Sequence, residues 1–129
     1  MFECSPLVPK DKFDTSSIAA LQAVEILEVQ PILGDLLAWI RDINWPVAQP
    51  LMEVLPRFHR ELVPHIKAVF ESDDDVWKCW TLSLLESFPR DTVELLASAI
   101  RRMAEFPTPG EVEEEACVYA QRIVDVFKL

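Results

Sequence analysis

Three aspartates stand in a row, Asp73, Asp74 and Asp75, and Trp77, Lys78 and Trp80 follow them. Carboxylates grouped in this way suggest two kinds of chemistry: a pair in unlike environments can act as general acid and base, and several together can hold a divalent cation. A cation needs ligands that converge from separate positions, whereas negative charge ahead of an apolar stretch is what the positive end of a helix dipole attracts. The run is therefore expected to open a helix, with Ser72 and Asp75 at capping-box spacing. Val76, Trp77, Trp80, Leu82, Leu84, Leu85 and Phe88 would then bury most of that helix at the centre of the domain.

Other chemistries find less support. His59 and His65 lie six apart, outside the H-E-x-x-H arrangement, and no cysteine or carboxylate completes a zinc set around them. Cys4, Cys79 and Cys117 are widely spaced without a C-x-x-C pair, which fits reduced thiols, two of them filling core positions. No G-x-S-x-G elbow occurs. With only Gly34 and Gly110, the chain has neither a phosphate-cradling loop nor a dinucleotide fingerprint. No catalytic residue, metal ligand or cofactor is expected.

A second unusual stretch runs from Asp42 through Asn44, Trp45 and Pro46 to Pro50 and Pro56. A residue before proline is pushed out of the α region, so Trp45 should be extended and a helix should start near Pro46, with Asn44 turning the chain. Pro50 should leave the first turn irregular. The functional alternative makes Asn44 and Trp45 a recognition surface, because tryptophan is frequent among interface anchors. Asp42, Asn44, Trp45, Asp73, Asp74, Asp75, Trp77 and Trp80 form the candidate binding set.

The elements that must position these residues read as all-α. β-Branched alternation is nowhere sustained and hairpin signals are absent. Beyond a loose arm over 1–12, a first helix is expected from a cap at Asp14 or Thr15, with Ile18, Leu21 and Val24 on its inner face. A second should run to Arg41 with a break near Pro31, and another through Leu62, Ile66 and Phe70 with Pro64 in its first turn. After the aspartate run, Asp91 should cap a helix whose inner stripe is Val93, Leu96, Ile100 and Met103. Arg101 and Arg102 near its end complement the helix dipole. The last helix opens with a capping box at Thr108 and Glu111 and should bury Val112, Ala116, Tyr119, Ile123 and Phe127. A weak repeat aligns Trp45 with Trp77, which suggests a short HEAT-like stack of antiparallel helix pairs, an irregular α-α superhelix of about six helices forming one domain over residues 1–129.

Charge narrows the partners. The formal net charge is −10 and the basic residues are scattered, so a phosphate backbone would be repelled and nucleic acid is not expected. A basic protein would instead be steered toward the chain. No apolar run has the length of a signal peptide or a membrane span, so a cytoplasmic protein is expected, as a monomer or a weak homodimer.

The segments "LVPKDKFDT", "LLAWIRDINWPVAQPL", "VPHIKAVFESDDDVWKCWTLSLL" and "RMAEFPTPGE", in that order, resemble the bacterial family DUF5071 over essentially the whole chain. The distinctive blocks fall on Asp42, Asn44, Trp45, Pro46, Val47 and Ala48, then on Asp74, Asp75, Trp77, Lys78 and Trp80. The resemblance implies a helical, HEAT-like domain without an assigned function, of a kind considered as immunity or interaction partners of bacterial toxins. The expectation is a non-enzymatic protein–protein interaction module, an immunity-type protein neutralising a basic toxin domain. The alternative is a small-ligand binder or enzyme with a pocket lined by Trp45, Trp77, Trp80 and the nearby acids.

Overall fold

The computed structural model describes residues 7–129. Cys4 and positions 1–6 of the expected N-terminal arm lie outside the described residues. Every regular element among the described residues is helical, as the shortage of glycine and of alternating β-branched residues predicts. No helix among them is long and apolar enough to cross a membrane. The chain divides into two compact units, Met1–Leu62 and Val63–Leu129.

In the first unit α1 (Ile18–Leu21) is a single turn. Asp14, expected as its cap, instead closes the preceding loop, its carboxylate accepting the backbone N–H groups of Lys10 and Ser16. A short carboxylate that satisfies a local turn is lost to the helix end, and Ser17 takes the N-cap position without a side-chain bond. Pro31 breaks the next stretch as predicted: α2 (Ile26–Val29) passes into a 3-10 turn at Gln30–Ile32, and α3 (Leu33–Ala38) ends before Arg41. Leu33, Leu36, Leu37 and Ile40 are buried.

The helix expected near Pro46 begins later, as α4 (Ala48–Val54). Pro50 therefore falls inside its first turn, where a missing N–H costs nothing and no kink is required. This helix packs on α1, and the Arg57 guanidinium donates to the Leu21 carbonyl at 2.7 Å, satisfying an acceptor at the end of α1. After a 3-10 turn at Leu55–Phe58 comes α5 (His59–Phe70), with Pro64 in its interior rather than its first turn. Pro64 and Arg60, whose carbonyl loses its helical donor, are both exposed, so water can take that acceptor.

In the second unit Asp74 caps α6 (Asp75–Leu84), accepting the Trp77 N–H at 3.1 Å. Ser72, expected in that role, donates its hydroxyl to the Val69 carbonyl at 2.7 Å. Inside α6, Cys79, Leu82 and Leu84 are buried together with Lys78 and Thr81, while Val76 is exposed and Trp77 and Trp80 are half-buried. The single helix expected after Pro89 is two, α7 (Arg90–Glu94) and α8 (Ala97–Glu105). Its predicted stripe of Val93, Leu96, Ile100 and Met103 is buried all the same, but Pro89, not Asp91, holds the N-cap position.

The last expected helix is also divided, into α9 (Pro109–Glu113) and α10 (Ala116–Phe127). Between them Glu115 adopts a left-handed conformation, φ 67°, which costs an L-residue with a side chain roughly 1–2 kcal/mol. The break turns Val112 outward, while Ala116, Ala120 and Ile123 remain buried. Through that face α10 packs on α8 and on α6. Trp45 and Trp77, paired by the sequence repeat, occupy unlike settings: one lies in the turn before α4, the other in the first turn of α6.

Candidate functional site

In the first unit the Asp42–Trp45 segment is a tight turn. The Asp42 carboxylate accepts the Asn44 N–H at 2.9 Å, and the Asp42 carbonyl accepts the Trp45 N–H at 3.0 Å. Asp42, rather than Asn44, thus turns the chain. The Trp45 carbonyl then receives the Ala48 N–H that starts α4, and the Lys12 carbonyl holds the Val47 N–H at 3.0 Å. The Trp45 ring is half-buried, meets Trp39 edge-on at 5.5 Å, and has the Arg41 guanidinium 6.0 Å from its centre. Asn44 is exposed beside it. The result is a stiff aromatic and guanidinium surface, the side-chain types that most often anchor interfaces.

The second unit builds a cluster around Glu111, whose side chain is fully buried. Its Oε1 accepts the Arg102 Nη1 at 2.6 Å and the Thr108 backbone N–H at 2.8 Å, and its Oε2 accepts the Arg102 Nη2 at 2.7 Å and the Lys78 Nζ at 2.9 Å. Four donors on two oxygens use the whole accepting capacity of a carboxylate. Lys78, itself buried, also donates to Asp75 Oδ1 at 2.9 Å. Residues from α6, α8 and α9 are thereby joined at one point.

Local structure sets up each member. The capping box of α9 aims Glu111 back at Thr108. The i, i+3 spacing on α6 brings Asp75 to Lys78. Gly110 is needed for close approach, since a Cβ there would run into Asp75 Oδ2. Below this corner the Cys79 thiol donates to the Glu114 carbonyl at 3.2 Å.

The electrostatics follow from this geometry. Burial by itself would raise the Glu111 pKa, but the Arg102 and Lys78 hydrogen bonds and the Thr108 N–H outweigh it and bring it down to about 2. Burial likewise opposes the Lys78 charge, and the hydrogen bonds it donates to Asp75 and Glu111 prevail, leaving its pKa above the ordinary lysine value. The bond to Glu111 raises Arg102 further. All are held in their charged forms, so none is poised to move a proton near neutral pH. Burial, reinforced by Glu114, Asp75 and Glu115, pushes the Cys79 thiol up to about 11, which makes it a poor nucleophile.

Of the candidate binding set, Asp73 and Asp75 meet Lys78, Arg102 and Glu111 in the wall of an open cavity of about 480 Å³, with Glu71 and Gly110. Neither Trp77 nor Trp80 lines it; Trp80 packs edge-on against Tyr119 at 6.1 Å. Asp74 serves as a cap, and Asp42, Asn44 and Trp45 belong to the first unit. Among the described residues no group of three or more His, Cys, Asp and Glu side chains could hold a metal ion. Sequence reading missed Lys78 and Arg102 as partners of Glu111, and Gly110 as the residue that leaves room for Asp75. The capping box gave Glu111 its address and its bond to Thr108, but not the two cations that reach it from other helices.

A search of curated proteins finds no match for the chain. The sequence profile of a family described as "Domain of unknown function (DUF5071)" matches residues 7–124, and with that span the chain belongs to the DUF5071 family.

Proposed function

We propose that this chain is a non-enzymatic, cytoplasmic protein-interaction domain, an immunity-type protein that binds and blocks a basic toxin domain. The carrying observation is the saturation of Glu111: the cluster that most resembles acid–base machinery has all four carboxylate acceptor sites filled by Arg102, Lys78 and Thr108. Lys78, Arg102, Asp75 and Glu111 cancel one another, so the net charge of −10 is displayed by side chains elsewhere. That field steers a basic partner toward the chain. The Asn44–Trp45 surface, held by Trp39 and Arg41, supplies the anchor.

The test is capture of a partner from the native host, then titration of the purified pair. A basic protein whose activity falls on binding is expected. Affinity should weaken as salt rises, and Trp45→Ala should lower it by about tenfold or more. A partner whose activity is untouched by saturating amounts of this chain refutes the reading.

A further inference from the structure

Arg102 lines a second cavity besides the one beside Glu111. This one, of about 430 Å³, has an apolar wall of Phe70, Leu95, Leu96 and Ala99, and its volume lies in the range of small-molecule sites, roughly 300–1,000 Å³. Glu111 occupies only one edge of the Arg102 guanidinium, taking Nη1 at 2.6 Å and Nη2 at 2.7 Å, and the Phe106 carbonyl takes Nη1 at 3.4 Å. The other edge, the Nε–H with the second Nη2–H, donates to no described residue. Such an edge is a planar fork that matches a carboxylate, and here its side chain is fixed by a buried partner yet 40% exposed. Lys67 and Glu71 complete the lining. They stand four apart in the less favourable cation-first order, and neither side chain bonds to a described residue.

We propose that this cavity is a binding site for an apolar α-amino acid such as leucine. The ligand's carboxylate takes the free edge of Arg102 with Lys67 alongside, its α-ammonium takes Glu71, and its side chain covers the wall of Phe70, Leu95, Leu96 and Ala99. Charge selects this class of ligand. With Arg102 balanced by Glu111, the cavity is left with one cation, Lys67, and one anion, Glu71. A zwitterion matches both signs, and being neutral overall it is not repelled by a chain of −10. An apolar amine would leave the Arg102 fork unused, and an apolar acid would lie beside Glu71 with nothing to pair it. The site is open and the ligand small, so the dissociation constant should be on the order of 1 mM. None of the residues assigned to the toxin contact takes part, so the site stands or falls independently of that reading.

Calorimetric titration of the full chain with leucine tests this, against isocaproate, which lacks the ammonium, and isoamylamine, which lacks the carboxylate. Leucine should bind about tenfold more tightly than either. Glu71→Gln, an exposed change that leaves the Arg102–Glu111 pair in place, should erase the advantage of leucine over isocaproate. Ala99→Phe fills the cavity from α8 and should abolish leucine binding while the helical circular dichroism signal stays unchanged. The absence of leucine binding at concentrations far above the expected dissociation constant overturns the proposal. So does leucine binding no tighter than isocaproate, or an advantage over isocaproate that Glu71→Gln leaves intact.

Discussion

The two units are held together by unlike means. In the first, Ser17 is the sole buried polar or charged residue among the described residues, and Leu33, Leu36, Leu51, Leu55 and their neighbours form an aliphatic interior cut into short segments by proline. In the second, an aliphatic core of Leu82, Leu85, Val93 and Ile100 is joined by a buried carboxylate with two cationic donors. Apolar burial is non-directional and tolerates slippage, whereas a carboxylate taking four donors accepts essentially one arrangement of the helices that supply them. Desolvating these charges offsets part of their attraction, so the cluster's geometric demand is larger than its net energy.

The largest effects should come from removing a central residue of each unit. Glu111→Gln leaves Lys78 and Arg102 without their shared counter-charge and should cost about 3–5 kcal/mol in denaturant unfolding at pH 7. Leu36→Ala in the first unit should cost a similar roughly 2–5 kcal/mol by opening a cavity. Acid separates the two. The folded pKa of Glu111, about 2, lies below its ordinary 4.5, so its contribution of about 3 kcal/mol is present above pH 4.5 and lost as pH falls toward 2. The penalty of Glu111→Gln should therefore shrink over that range while that of Leu36→Ala stays nearly flat. Equal pH profiles for the two variants would break the comparison.

A smaller effect is expected at Gly110. Its replacement by alanine must push the Asp75 carboxylate off Lys78 and should cost about 1–3 kcal/mol. In an Asp75→Ala background the same change should cost almost nothing, because no carboxylate remains to displace. If the cost is the same in both backgrounds, Asp75 is not what Gly110 makes room for. The smallest effect should be a gain: Glu115→Gly relieves the left-handed strain between α9 and α10 and should stabilise the protein by about 0.5–1 kcal/mol, read as a raised Tm.

How much of this was legible depended on the range of the interaction. The capping box at Thr108 and Glu111, the break at Pro31 and the stripe from Val93 to Met103 were all readable, because each depends on residues within a few positions of one another. The boundaries that failed did so through competition. Asp14 was claimed by a turn, Asp74 displaced Ser72 as a cap, and Glu115 split a helix whose apolar pattern ran on without interruption. At the candidate sites, the spacing that set Asp75 beside Lys78 was local, but nothing in the sequence joined Lys78 to Glu111, 33 positions away.

By itself, then, the sequence determined the helical class, the acidic surface and the family, since composition, periodicity and motif order are properties of the chain alone. Only the tertiary structure decided which of the acids do structural work and which remain on display. A carboxylate's role depends on which donors desolvate it and hold its charge, and for Glu111 these come from helices that meet only in the folded protein.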